Sequence, residues 1–205
     1  MAALRSDRSS IAKARVLDAA MRLFGEQGYA ATSVAQIEAA AGLRPGSGAM
    51  YRHVASKREL LEQGVRRVLD ARSSVATALA ASQPDSDGSA VEQLRAIAEA
   101  GFARLDHDRD LSRIMLRDLR DFPELAAEMR QREVDEVTAS LAAWLRAHSN
   151  VVGVDIDATA SVIVSAVSHH WTMTDATGAA PLEIERTRFV DALILLVQRT
   201  LGLDS

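Results

Sequence analysis

The side chains best able to do chemistry in this chain are hydrogen-bond donors crowded into one short run. Arg44, Ser47, Tyr51, Arg52, His53 and Lys57 follow one another closely, with Gly46, Gly48 and Ala49 between them. A guanidinium can donate two parallel hydrogen bonds to the edge of a guanine. Hydroxyl, phenol, imidazole and ammonium groups suit phosphate and sugar, contacts that position a reader without reading sequence. Gly46, Gly48 and Ala49 are small enough to let a backbone approach another surface closely. Nothing comparable suits catalysis. The chain has no cysteine, so it has no thiolate nucleophile, thiolate metal site or disulfide. His169 and His170 are neighbours, but adjacent helical residues point about 100° apart and cannot ligate one ion together. Neither stands at a zinc-type spacing from Asp157 or Asp175. P-loop, G-x-G-x-x-G and G-x-S-x-G patterns are missing. The expectation is recognition of a polyanion, without catalysis, metal or cofactor.

Charge is distributed to match. The whole chain is acidic, at −4. Residues 1–60 nevertheless hold nine Lys/Arg against five Asp/Glu, a net of +4, which leaves −8 on the remainder. Phosphate neutralisation acts locally, so a basic head on an acidic body is compatible with a nucleic-acid partner. The first ten residues, MAALRSDRSS, lack the apolar stretch of a signal peptide. The apolar run Ala192–Val197 is too short to span a bilayer. A reduced cytoplasmic setting with no membrane partner is expected.

The elements that must position these donors read as helices throughout. Alanine, leucine, arginine and glutamate dominate, and no segment alternates with a period of two. A first helix over 10–27 has Val16, Leu17, Ala20, Leu23 and Phe24 on one stripe, with Gly28 placed to end it. A second starts at Thr32 or Ser33, where Ser33 and Gln36 form a capping box, buries Val34, Ile37 and Ala41, and ends at Gly42. A third covers 47–54 and turns Met50 and Val54 inward. A fourth opens on the S-x-x-E box Ser56–Glu59 and runs through Leu79. After the turn-forming segment 82–89, helices are expected at 90–107, 110–119, 123–148, 156–176 and 183–202, with Pro123 at a first helical position. About nine helices make an all-α chain.

The ordered features Val16-Leu17-x-Ala19-Ala20-x-x-Leu23-Phe24, Gly28-Tyr29, Thr32-Ser33-Val34, Ile37, Ala41-Gly42-Leu43, Tyr51-Arg52-His53 and Ser56-Lys57-x-x-Leu60 resemble the DNA-binding domain of the TetR family of transcriptional regulators. The resemblance covers the first third of the chain. It implies a helix-turn-helix domain at 10–70, with its recognition helix at about 47–54, followed by a helical ligand-binding and dimerisation domain at 71–205. Thr32, Ser33 and Lys57 are expected to hold phosphates, the first two with help from the free N–H groups of a helix start. Arg44, Ser47, Gly48, Ala49 and Arg52 are expected to meet base edges, with Gly46 letting the chain approach closely, and Tyr51 and His53 are expected to meet the DNA backbone. Three positions depart from the family pattern. The turn Leu43–Gly48 is two residues longer than usual. Glu38 replaces the usual alanine and is expected at the rim or paired with an arginine. Val54 replaces the common phenylalanine.

Beyond residue 71 the resemblance is one of size and helical layout. It implies a small-molecule effector held among the middle helices and dimerisation through the last two. Phe102, Met115, Leu119, Phe122, Met129, Trp144, His169 and Trp171 are the residues suited to line an apolar or amphipathic pocket. Val162, Val167, Phe189, Leu193, Ile194 and Val197 would form the homodimer interface, because apolar residues on more than one face of a helix call for more than one partner. The expected activity is that of a homodimeric repressor on a palindromic, double-stranded DNA operator, released by the effector. An activator, a ligand-independent regulator, and a helical small-molecule binder without DNA affinity fit the same sequence.

Overall fold

The structure is a computed structural model and describes residues 2–52, 54–70 and 88–204. Among these residues the elements are all helical. They run α1 (Ala2–Gln27), α2 (Val34–Ala40), a 3-10 turn (Ala49–Arg52), α3 (Lys57–Asp70), α4 (Ala90–His107), α5 (Arg109–Arg117), a 3-10 turn (Leu119–Asp121), α6 (Pro123–Met129), a π-helical turn (Arg130–Asp135), α7 (Glu136–His148), α8 (Ile156–Thr177), a 3-10 turn (Pro181–Glu183) and α9 (Arg186–Leu201). None of the described helices is long and apolar enough to cross a membrane.

The chain divides into two units, each with its own core. The first comprises residues 1–72 and 108–129, so 108–129 clusters with the N-terminal head although it lies well inside 71–205. The second comprises 73–107 and 130–205.

In the first unit α1 buries the stripe that its spacing implies. Val16, Leu17, Ala20 and Phe24 are covered, with Ile37 of α2, Leu60, Leu61 and Val65 of α3, and Leu111 and Ile114 of α5 in the same core. Each such large side chain contributes about 1.5–3 kcal/mol by leaving water. Gly28 takes a positive φ of 97° and returns its N–H to the Phe24 carbonyl at 3.0 Å, which ends α1. Gly25 matters for a different reason. A Cβ there would lie 2.7 Å from the Cα of Asp110, so α1 and α5 touch through a position that has no side chain. Arg117 of α5 donates to the Phe24 and Gly25 carbonyls, and Asp118 accepts from the Tyr29 N–H at 3.2 Å. The Arg117 bonds meet carbonyls of the last turn of α1, the groups that the end of a helix leaves open.

The second unit packs α4, α7, α8 and α9 around Leu94, Ile97, Phe102, Leu145, Ile163, Val190 and Ile194. Asp155 caps α8 through the Ala158 N–H, and Gly178 closes it in a left-handed conformation. The expected 123–148 helix is interrupted, since Arg130–Asp135 widens to π geometry between α6 and α7. The last helix begins at Arg186, later than the expected 183. Pro181–Glu183 forms a separate 3-10 turn with Leu182 and Glu183 at positive φ.

Candidate nucleic-acid interface

Helix α2 begins with the capping box read from the sequence. The Gln36 N–H donates to Ser33 Oγ at 3.2 Å, and the Ser33 N–H to Gln36 Oε1 at 2.7 Å. It ends in a Schellman motif. Gly42, at φ +72°, donates to the Ala39 carbonyl and Leu43 to the Glu38 carbonyl, at 3.0 and 2.7 Å. Arg15 crosses from α1 to place Nη2 2.6 Å from the Ala41 carbonyl.

The long turn that follows has regular parts. Arg44-Pro45-Gly46-Ser47 closes with the Ser47 N–H on the Arg44 carbonyl at 3.2 Å, with Gly46 at φ +71°. Proline then glycine in the two central places is the type II pattern. Ser47 Oγ accepts the Ala49 N–H at 3.2 Å and Gly48 accepts the Tyr51 N–H at 3.0 Å, which starts the 3-10 turn. The expected α-helix over 47–54 is therefore a tighter and shorter piece, Ala49–Arg52, anchored inward by Met50 and Val54. Glu38, expected at the rim or beside an arginine, is instead fully buried, and its Oε1 accepts the Met50 N–H at 3.1 Å.

Arg44, Gly46, Ser47, Tyr51 and Arg52 are exposed, and Gly48 and Ala49 half-buried. Tyr51 leaves 54% of its surface in water. Neither Arg44 nor Arg52 has an ion-pair partner among the described residues, so both guanidiniums are available to an outside acceptor. His53 lies outside the described residues. Two of the groups expected to hold phosphate are engaged within the fold. Thr32 is buried and donates its hydroxyl to the Gly28 carbonyl at 2.7 Å. Lys57 Nζ donates to the carbonyls of Tyr29 and Thr32 at 2.8 and 2.9 Å and sits 4.2 Å from the centre of the Tyr29 ring. Burial lowers its pKa from the usual lysine range. Ser33 is exposed, with its hydroxyl in the cap.

The residues expected to line a pocket fall into two sets. Leu119, Phe122 and Met129 are buried in the core of the first unit, with Met115 packed against it. Phe102, Trp144 and Trp171 are buried in the core of the second. His169 is exposed, which corrects its expected inward position. One residue along, 100° around the helix, His170 is the buried one. His170 stacks on Phe189 at 4.2 Å and meets Phe102 edge-on at 5.8 Å. Burial, then Arg186, then His169 lower its pKa from the ordinary histidine value. Around it, Arg186 lies over the Phe102 ring and pairs with Asp106, which accepts the Trp171 indole N–H at 2.9 Å. That cluster spans α4, α8 and α9 and was not visible in the spacing of the sequence.

Of the expected interface residues, Val167, Leu193, Ile194 and Val197 are buried within the subunit, and Phe189 is partly buried there. Their place is the unit's own core. Val162 alone among them is open, at 65% exposed, and Leu195 and Leu196 of α9 are exposed at 45% and 65%.

Residues 16–63 match the family model described as "Bacterial regulatory proteins, tetR family". The whole chain resembles solved structures of such regulators. One is a TetR regulator from Chloroflexus aurantiacus, 18% identical, covering 96% of each chain with a TM-score of 0.70. A TetR-like regulator from Rhodococcus sp. RHA1 is 23% identical, with 93% of this chain and 96% of that chain covered and a TM-score of 0.67. The regulator FadR from Bacillus subtilis, solved in complex with stearoyl-CoA, is 16% identical, with coverage of 89% and 96% and a TM-score of 0.65. No match was found among curated proteins.

Proposed function

Starting from a chain that carries a TetR-family head on the fold of TetR regulators, we propose that it is a homodimeric transcriptional repressor that binds a palindromic operator in double-stranded DNA and is released by a small-molecule effector. The observation that carries the reading is the run Arg44–Arg52, exposed at Arg44, Gly46, Ser47, Tyr51 and Arg52. Two available guanidiniums and a phenol stand on a small-residue turn whose apolar side, Met50, is locked in the core. Arg44 and Arg52 read guanine edges in the major groove with Ser47, Gly48 and Ala49 beside them, and Tyr51 fits phosphate and sugar. A two-fold dimer would present two such readers one turn of the duplex apart, about 34–36 Å, or a multiple of it. The exposed apolar side chains Val162 on α8 and Leu195 and Leu196 on α9 support pairing through these helices. No catalytic step is assigned, and the setting is the cytoplasm.

The effector belongs to the apolar or amphipathic class. The stearoyl-CoA bound by FadR of the same fold supports that class. Trp144 and Trp171 would report its arrival. Effector binding need shift the DNA equilibrium by only about 1–3 kcal/mol to change operator occupancy usefully.

Selection of bound sequences from random duplexes tests the reading. Enrichment of an inverted repeat is expected, and an unenriched pool would end it. Titrating stearoyl-CoA against the selected complex tests release, with tryptophan emission read alongside. Mapping the selected site relative to the promoter separates repression from activation.

A further inference from the structure

The geometry points to Glu38 as the positioning residue of the reading segment, a tether that holds both ends of the long turn and so sets which bases Arg44 and Arg52 can reach. The inference rests on the DNA-binding reading above. Glu38 lies on α2, and none of its surface is open to water. Its backbone carbonyl accepts the N–H of Leu43, where the turn begins, at 2.7 Å. Its side-chain Oε1 accepts the N–H of Met50, where the turn ends, at 3.1 Å. One residue therefore fixes both ends of Leu43–Met50.

The segment needs such a tether. The first N–H groups of a helical turn have no partner within it. In Ala49–Arg52 they are supplied one by one. Ser47 Oγ takes Ala49, Glu38 Oε1 takes Met50, and the Gly48 carbonyl takes Tyr51. Only the Glu38 bond reaches outside the turn itself. Without it the 3-10 piece would be joined to the rest of the head through Met50 and Val54 packing and the chain, and apolar packing fixes orientation less sharply than a directional bond.

The arrangement is also costly in a way that a stability role does not explain. Glu38 Oε2 is buried and has no hydrogen-bond partner among the described residues. A buried unpaired polar atom opposes folding, and an apolar residue of similar volume would avoid it. A carboxylate at this place is accounted for by the position it imposes on Met50.

Three variants of the full chain test the assignment: Glu38→Met, which keeps volume and removes the acceptor; Glu38→Asp, which keeps the carboxylate but falls a methylene short; and Glu38→Gln, which keeps an acceptor oxygen. The probes are the duplex enriched by the unsubstituted protein and a random-sequence duplex, with Met50 amide exchange read on the free protein. Glu38→Met and Glu38→Asp should lower the ratio of selected to random affinity about tenfold, the scale of one lost base contact, at unchanged random affinity. Their Met50 amide should exchange about tenfold or more faster. Glu38→Gln should keep both values. An unchanged ratio in folded Glu38→Met and Glu38→Asp overturns the assignment, as does an equal loss on both duplexes. If the unsubstituted protein enriches no sequence, the DNA-reading proposal fails on its own. Amide exchange then decides the tether, and a Met50 rate indifferent to Glu38→Met and Glu38→Asp overturns it too.

Discussion

Arg44 and Arg52 are of the same type as Arg15 and Arg117, yet their surroundings give them different work. Arg15 and Arg117 are held by helix-end carbonyls of their own chain, whereas Arg44 and Arg52 have no partner among the described residues. Replacing Arg44 or Arg52 by alanine should therefore leave thermal stability nearly unchanged and relax base preference, by about 1–3 kcal/mol at a guanine, in competition between selected and random duplexes. Equal loss on both duplexes would remove them as readers. Lys57 should behave in the opposite way. Its ammonium is bonded to two carbonyls and lies over Tyr29, so Lys57→Ala should lower the stability of the head by about 1–2 kcal/mol in denaturant titration. A variant with unchanged stability and a flatter salt dependence of binding would return it to the phosphate contacts. Residue types alone showed that a cluster of donors existed. They could not show which donors are free, because that depends on carbonyls left open at the ends of other helices.

At the scale of elements, the stripe of α1, the boxes at Ser33 and Ser56 and the glycine ends were legible because each is local and periodic. The form of the Ala49–Arg52 segment was not. Two extra turn residues and a buried acid twelve positions upstream determine its 3-10 geometry, and no local pattern links them. The choice of His169 over His170 failed for a related reason. α8 is apolar on several faces, so periodicity does not say which face is inward. Two predictions belong at this scale. Gly25→Ala puts a methyl into the backbone of α5 and should destabilise the first unit by about 1–3 kcal/mol, measured by thermal melting. His170 has its pKa lowered in the fold, so the unfolded chain binds its proton more readily. Its contribution to stability is full above the ordinary histidine value of about 6.5 and is lost as pH falls through the depressed folded value. His170→Phe, among Phe102 and Phe189, should flatten that acid-side fall in melting temperature; an unchanged pH profile would place the sensitivity elsewhere.

For the whole molecule, the interface was expected on the most apolar positions of the last two helices, and most of those are occupied by the subunit's own core. Apolar content overestimates availability, since one helix serves its own core before it serves a second copy. Leu196→Glu and Val162→Arg should therefore give folded monomers in sedimentation, whereas Leu193→Glu should unfold the second unit. A dimer that survives both surface changes would move the contact off α8 and α9. The division of the chain has its own consequence. Leu111, Ile114, Leu119 and Phe122 share a core with α1–α3, but the chain reaches them only after α4 has been made. A fragment cut at residue 72 would leave bare the side of α1 that packs on α5 and should aggregate. Transplanting this head onto a foreign body would succeed only if the 108–129 excursion travelled with it, so the head can be exchanged as two linked cassettes, not one.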